Sequence, residues 1–154
     1  MIRPAVTAVV AFTLLLGVAY PLALTGVARV LPKATVTLAQ DTRRDPRYFQ
    51  PRPSQTDYDA DATAFSNRGP NQKSAEVFYR KAIAAYKRFN DGAMPPIDAV
   101  TTSASGLDPD ISRANAEIQA RRIARVRGVP LARVTRLIDG ARLNTTVANR
   151  ELDR

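Results

Sequence analysis

The sequence predicts an α+β protein: one N-terminal transmembrane helix followed by a small, mainly helical soluble domain with a few short strands. Three observations predict it. An uncharged, mostly apolar run extends from Pro4 to Ala28, flanked by Arg3 on one side and by Arg29 and Lys33 on the other. Farther on, apolar residues recur at helical spacing over about 74–90 and 113–127. Between them and the first run lies a stretch rich in Pro, Asp, Ser, Asn and Arg that follows neither helical nor strand periodicity. The chain therefore divides into an anchor, residues 1–31, and a soluble domain, residues 32–154.

The apolar run is long enough to cross a bilayer, whose hydrocarbon core needs about 20 helical residues. A cleaved signal peptide would have a shorter apolar core and a better small-x-small site than Gly26-Val27-Ala28. A buried core helix rarely stays uncharged so long, and an interfacial helix would carry a polar stripe. Pro21 removes one hydrogen bond and predicts a kink. Gly17, Ala19, Ala23 and Gly26 allow close approach to other spans. Lys and Arg are denser after the run (Arg29, Lys33, Arg43, Arg44, Arg47) than before it (Arg3), so a bare positive-inside count favours a cytoplasmic domain, but the rule is weak for one span followed by a long domain and charge leaves both sides open.

The soluble elements follow in order. Pro32 ends the first helix, and Thr35–Leu38 alternates like a short strand. A loop follows over 41–70, in which Tyr48, Phe49, Tyr58 and Phe65 can pin backbone to a core. Ser74 caps a helix over 74–90 with Ala75, Phe78, Ala82, Ala85, Tyr86 and Phe89 on one face and a Glu76–Arg80 pair outside. Asn90-Asp91-Gly92 stops it. Ile97–Thr102 reads as a short strand and Ser103–Ser112 as a turn-rich loop. Ser112 caps a helix over 113–127, with Gly128 as its stop. Its inner side is Ala116, Ala120, Ile123 and Val126, and its outer side Arg121, Arg122 and Arg125. Pro130 opens a last helix over 131–139, with Leu131, Val134, Leu137 and Ile138 inward and Gly140 ending it. Residues 141–154 show no convincing period.

Composition excludes much chemistry. Among 154 residues there is no cysteine and no histidine, so there are no disulfides, thiolate nucleophiles, His-based zinc sites or Ser-His-Asp triads. No P-loop, GxGxxG, GxSxG or HExxH occurs, and no carboxylate cluster has metal-ligand spacing. Ser105, Gly106 and Asp108 could be arranged as in a hydrolase, but no base is at hand to activate the serine. The net charge is +9; Arg3 and Arg29 are the only charges up to Leu31, which leaves +7 downstream. That balance suits anionic lipid, an acidic partner or nucleic acid. The Arg stripe lacks aromatic stacking groups, which argues against nucleic acid.

Two stretches together resemble the C subunit of the Kdp-type potassium-transporting P-type ATPase. One comprises Leu38-Ala39-Gln40, DPRYF (45–49), RPS (52–54) and SNRGP (66–70); the other is TTSASGLDPDIS (101–112) with IQARRIARVRGV (118–129). Ala-Tyr-Pro-Leu (19–22) and Thr-Gly (25–26) resemble the family's single N-terminal span. The resemblance implies a single-pass, non-catalytic accessory subunit in the bacterial inner membrane. Its partners would be a potassium-channel-like subunit and a P-type ATPase subunit, besides membrane lipid. It would stabilise the complex and help the ATPase subunit bind ATP, holding no cofactor of its own beyond ATP shared with that subunit. No Asp-Lys-Thr-Gly phosphorylation motif is present. The motifs mark Arg52, Ser54, Asn67, Gly69, Ser105, Gly106, Asp108, Gln119 and Arg122 as interaction candidates, and Gly17, Ala23 and Gly26 as packing positions in the span. The chain departs from the family in four places. A Gly-Ser-rich strand pair after the anchor is missing, Asp110 replaces a histidine, Ser103-Ala104 replaces a Gly-Ser step, and no closing strand is recognisable in NTTVANRELDR.

Two readings of the marked residues stay open. Arg52 and Asp108 either hold a partner or phosphate-bearing ligand, or form a guanidinium–carboxylate pair that fastens the loop to the helix start. Gln119, at the edge of the apolar face, is placed to bond a loop carbonyl. The alternative to the transport reading is a membrane-tethered basic binding module.

Overall fold

The computed structural model describes residues 2–31, 37–43, 45–64, 66–69 and 71–154, and it divides into two units, Met1–Val36 and Thr37–Arg154. The first is one apolar rod. Helix α1 (Ile2–Leu14) and helix α2 (Tyr20–Val30) are joined by a single π turn, Leu15–Ala19. Within the 29-residue rod Ile2–Val30, the most apolar 18-residue stretch has mean hydropathy 2.1, and none of that stretch is buried in the protein. The kink expected at Pro21 takes the form of the π turn just before it. A proline ring presses on the carbonyl four residues back, here that of Gly17, and widening that turn relieves the clash. The Thr25 hydroxyl donates to the Pro21 carbonyl at 2.8 Å. Beyond the backbone of their own helix turns and their chain neighbours, Gly17 and Gly26 have no described atom within 4 Å of where a Cβ would sit.

In the second unit, no helix or strand occurs among the described residues from 37 to 72. Helix α3 (Lys73–Phe89) follows, then a 3-10 turn (Ile97–Ala99), strand β1 (Asp110–Ser112), α4 (Arg113–Arg127), α5 (Leu131–Thr135), β2 (Arg142–Asn144) and α6 (Thr145–Leu152). The strands β1 and β2 pair antiparallel, with Ile111 opposite Leu143. The ends of α4 are as the sequence predicts. The Ser112 hydroxyl accepts from Asn115 N, and Gly128 sits at φ 66°, a left-handed conformation that glycine adopts without penalty.

Several expectations are corrected. Helix α3 starts at Lys73 with Gln72 at its cap, and the Ser74 hydroxyl donates to Gln72 Oε1 instead of capping. Ala85 is exposed. Ile97–Thr102 is not a strand: after Pro95-Pro96 the chain coils, with Val100 N and the Thr101 hydroxyl donating to the Ile97 carbonyl. Asp110–Ser112, read as loop, is a strand, and 141–154 holds β2 and α6 where no period was visible. Helix α5 stops at Thr135, after which turn-type bonds carry the chain to Ile138. Leu131 and Val126 are 44 % and 42 % exposed, Val126 because it lies in the last turn of α4. Of the strand expected at Thr35–Leu38, Thr35 and Val36 lie outside the described residues, as does Phe65, while Thr37 and Leu38 are irregular.

The core joins Phe49 from the long loop to Ile111, Leu143, Val134, Ile138, Ala148, Leu152 and one face of α4, namely Ala116, Ala120, Ile123 and Ala124. Three alanines on that face let neighbouring backbone approach closely, and Phe49, fully buried, is the largest apolar side chain in the cluster. Phe49→Ala should cost about 3–5 kcal/mol through cavity formation. Val126→Ala should change stability by less than about 0.5 kcal/mol. Urea unfolding of the detergent-solubilised full chain, followed by circular dichroism, compares the two.

Candidate functional site

The segment Tyr48–Gln50 carries DPRYF into the core without a strand beside it, so its backbone polar groups need partners from side chains. Asn149 on α6 supplies two: its Oδ1 accepts from Phe49 N at 2.8 Å and its Nδ2 donates to the Phe49 carbonyl at 2.9 Å. Gln119 on α4 does the same for the next residue, accepting from Gln50 N at 2.7 Å and donating to the Gln50 carbonyl at 3.1 Å. Each amide thus replaces one rung of a sheet. The Thr42 hydroxyl adds a second donor to the Phe49 carbonyl.

Arg122, expected on the solvated side of α4, is 1 % exposed and is the largest fully buried side chain. The Gln50 contact draws this helix face under the loop, and the guanidinium meets its carbonyls. Nη2 donates to the Tyr48 carbonyl at 2.6 Å and to Gln119 Oε1, Nε donates to the Pro46 carbonyl at 3.1 Å, and Nη1 donates to Asn90 Oδ1 at 2.9 Å. Its Cζ lies over the Phe89 ring, 4.5 Å from the ring centre. Every hydrogen-bond partner is neutral. Burial pushes the guanidinium down to about 10, so it remains charged at neutral pH. Arg121 is exposed, and Arg125 pairs with Asp91 at 2.7 Å.

The network continues through Gln119 Nε2 to Asn115 Oδ1, which also accepts from the Tyr86 hydroxyl at 2.8 Å. Burial raises the Tyr86 phenol well above its ordinary value. Asn115 Nδ2 reaches Asp98, whose carboxylate also accepts from the backbone and hydroxyl of Ser112. At the far end of the loop, Tyr48 and Arg127 meet Asp153, and the Arg127 bond foremost holds that carboxyl below its usual range.

The second cluster joins the RPS and SGLDP loops. Arg52 Nη1 lies 3.6 Å from Asp108 Oδ2, and Nη2 donates to Thr101 Oγ1 and to the Thr102 carbonyl. The pairing expected from the sequence therefore forms, with both side chains about a quarter to a third exposed (26 % and 30 %). The Ser54 hydroxyl accepts from Thr56 N and Tyr58 N, and the Tyr58 hydroxyl donates to the Arg52 carbonyl. Gly106 sits at φ 75°, and a Cβ there would lie 2.8 Å from Thr56 Oγ1, so no side chain fits. Ser105 caps the turn through Leu107 N, and Asp108 accepts from Asp110 N. Asn67 is exposed, and the Gly69 carbonyl accepts from Gln72 N at the approach to α3; among the described residues neither joins these clusters.

Chemically, the arrangement holds backbone in place. The Ser54 and Ser105 hydroxyls accept from backbone N–H groups, and among the described residues no three carboxylates group to hold a metal. Sequence reasoning missed Asn149, Asn115, Asp98, Asn90 and Thr42. Only Asn115, three residues after the capping Ser112, stood at a position that could have been flagged.

A family model described as "KdpC: K+-transporting ATPase, c chain" matches residues 2–149. Curated relatives named "Potassium-transporting ATPase KdpC subunit" are similar over nearly the whole chain. One from Caulobacter vibrioides is 41% identical over 181 positions, covering 99% of this chain and 92% of the relative. One from Cereibacter sphaeroides is 40% identical over 178 positions, covering 99% and 96%. One from Polaromonas naphthalenivorans is 41% identical, covering 90% and 80%. The first two alignments are longer than this chain, so those relatives carry segments it lacks.

Arg122→Met should destabilise the fold by about 3–5 kcal/mol, because it strands several buried acceptors. Arg122→Lys should recover less than half of that loss, since one ammonium cannot span the fork. Chemical denaturation of the solubilised chain measures both. Arg52→Ala and Asp108→Ala should be non-additive by about 0.5–1 kcal/mol. A double-mutant cycle with zero coupling would reject the contact.

Proposed function

We propose that this chain, which belongs to the KdpC family, is the non-catalytic accessory subunit of an ATP-driven potassium import complex. The observation that carries the reading is the family match over residues 2–149, which takes in the apolar rod and the domain together. The rod, with its side chains uncovered, supports a single pass through the bacterial inner membrane. The domain supports a scaffold: Arg52, Ser54, Ser105, Gln119 and Arg122 hold loops in fixed positions, and among the described residues none of them pairs a nucleophile with a base. On this reading the chain stabilises its channel-like and ATPase partners, and any effect on ATP binding is exerted on the ATPase subunit.

The bare Gly26 surface supports packing of the span against a partner helix, along with Gly17 and Ala23. Affinity purification of the tagged full chain from detergent-solubilised membranes should recover both large subunits. Recovery of the chain by itself would count against the assignment. Gly26→Leu should lower the yield of partners while the chain stays in the pellet after an alkaline carbonate wash, and an unchanged yield would reject this packing face.

A further inference from the structure

The outward face of α3 has a chemistry that the scaffold does not use. Lys73, Val77, Arg80, Ala84, Lys87 and Arg88 recur at spacings that place them opposite the inward Ala75, Ala82, Tyr86 and Phe89. Lys81 flanks them. Among the described residues, Arg80 alone of these five cations has an ion pair, with Glu76 at 2.7 Å, and Glu76 is the one carboxylate on the helix. Val77, in the middle of the cations, is 51 % exposed. Beside it Arg68, Lys73, Ser74, Val77, Phe78 and Lys81 line a shallow pocket of about 410 Å³. Its floor is apolar, and its Arg68 guanidinium is stacked 4.3 Å over the Phe78 ring. Cations around an apolar floor match a phosphate with hydrocarbon attached.

We propose that this face docks on the anionic leaflet of the bilayer, with a lipid phosphate held by Lys73, Lys81 and Arg68 and Val77 set against the glycerol and upper acyl region. The occupant follows from charge complementarity and from the apolar rod, which keeps the domain within reach of headgroups. Basic residues gain favourable free energy near an anionic surface, and the gain disappears within a Debye length. The proposal rests on the membrane anchoring given above.

The chain has no cysteine, so Val77→Cys creates a single reactive thiol. The full-length variant is placed in lipid nanodiscs, either neutral phosphatidylcholine or one-third phosphatidylglycerol, and labelled with a neutral water-soluble maleimide. Recovery in the disc fraction tests the anchor separately from lipid charge. Labelling should be several-fold slower in the anionic discs. It should recover near about 1 M salt, where the Debye length is about 3 Å. The slowing should also vanish in Lys73→Gln/Lys81→Gln, and Asp59→Cys should show none of it. Equal rates in both discs would overturn the proposal. So would slowing in neutral discs on addition of inorganic phosphate, which would make free phosphate the ligand. Protection that appears only with the partner subunits, whatever the lipid, would assign the face to a protein and overturn it as well.

Discussion

A loop without a sheet must find its hydrogen bonds elsewhere, and that requirement organises the soluble domain. Phe49 fills the centre of the core, so the backbone on either side of it is drawn away from water. Asn149 and Gln119 each give one residue of that backbone both a donor and an acceptor. The two amides come from α6 and α4, so the loop cannot keep its place unless both helices are docked. Packing and polar satisfaction are therefore one cooperative event, and residues distant in sequence depend on one another.

Arg122 shows what that arrangement costs. A guanidinium without a carboxylate partner is an expensive group to bury, and its lowered proton affinity records the expense. It is retained because its planar fork reaches the Tyr48 and Pro46 carbonyls and Asn90 at once. The same loop is fastened again at Arg52, where the contact with Asp108 is looser and partly wet. One fixing point is buried and sets the geometry; the other lies near the surface and ties the RPS loop to the turn that precedes β1.

How much of this was legible follows from the range of the interactions involved. The anchor, α3 and α4 announce themselves by local signals: an uncharged run, an amphipathic repeat, Ser112 before α4 and Gly128 after it. The Arg52–Asp108 contact was legible through motif and charge. Strands β1 and β2 were not, because three residues are too few for alternation and their pairing spans about thirty positions of chain. Helix α6 is short and gains its place from Asn149 and Thr146 bonding the loop at Phe49 and Leu38, contacts that no local pattern encodes. Arg122 reads as surface by residue type, and only the loop laid across α4 makes it interior. The coil at Ile97–Ala99 is set by Asp98 reaching Ser112, again across the fold.

Amide hydrogen exchange at Phe49 and Gln50 tests the central claim most directly, since those N–H groups donate to side chains and to no strand or helix. If the two amides stand in for a sheet, both should exchange as slowly as the paired Ile111 and Leu143 amides of the small sheet. Exchange as fast as at the exposed turn around Asp59 would mean that the loop opens independently of α4 and α6, and the account would fail.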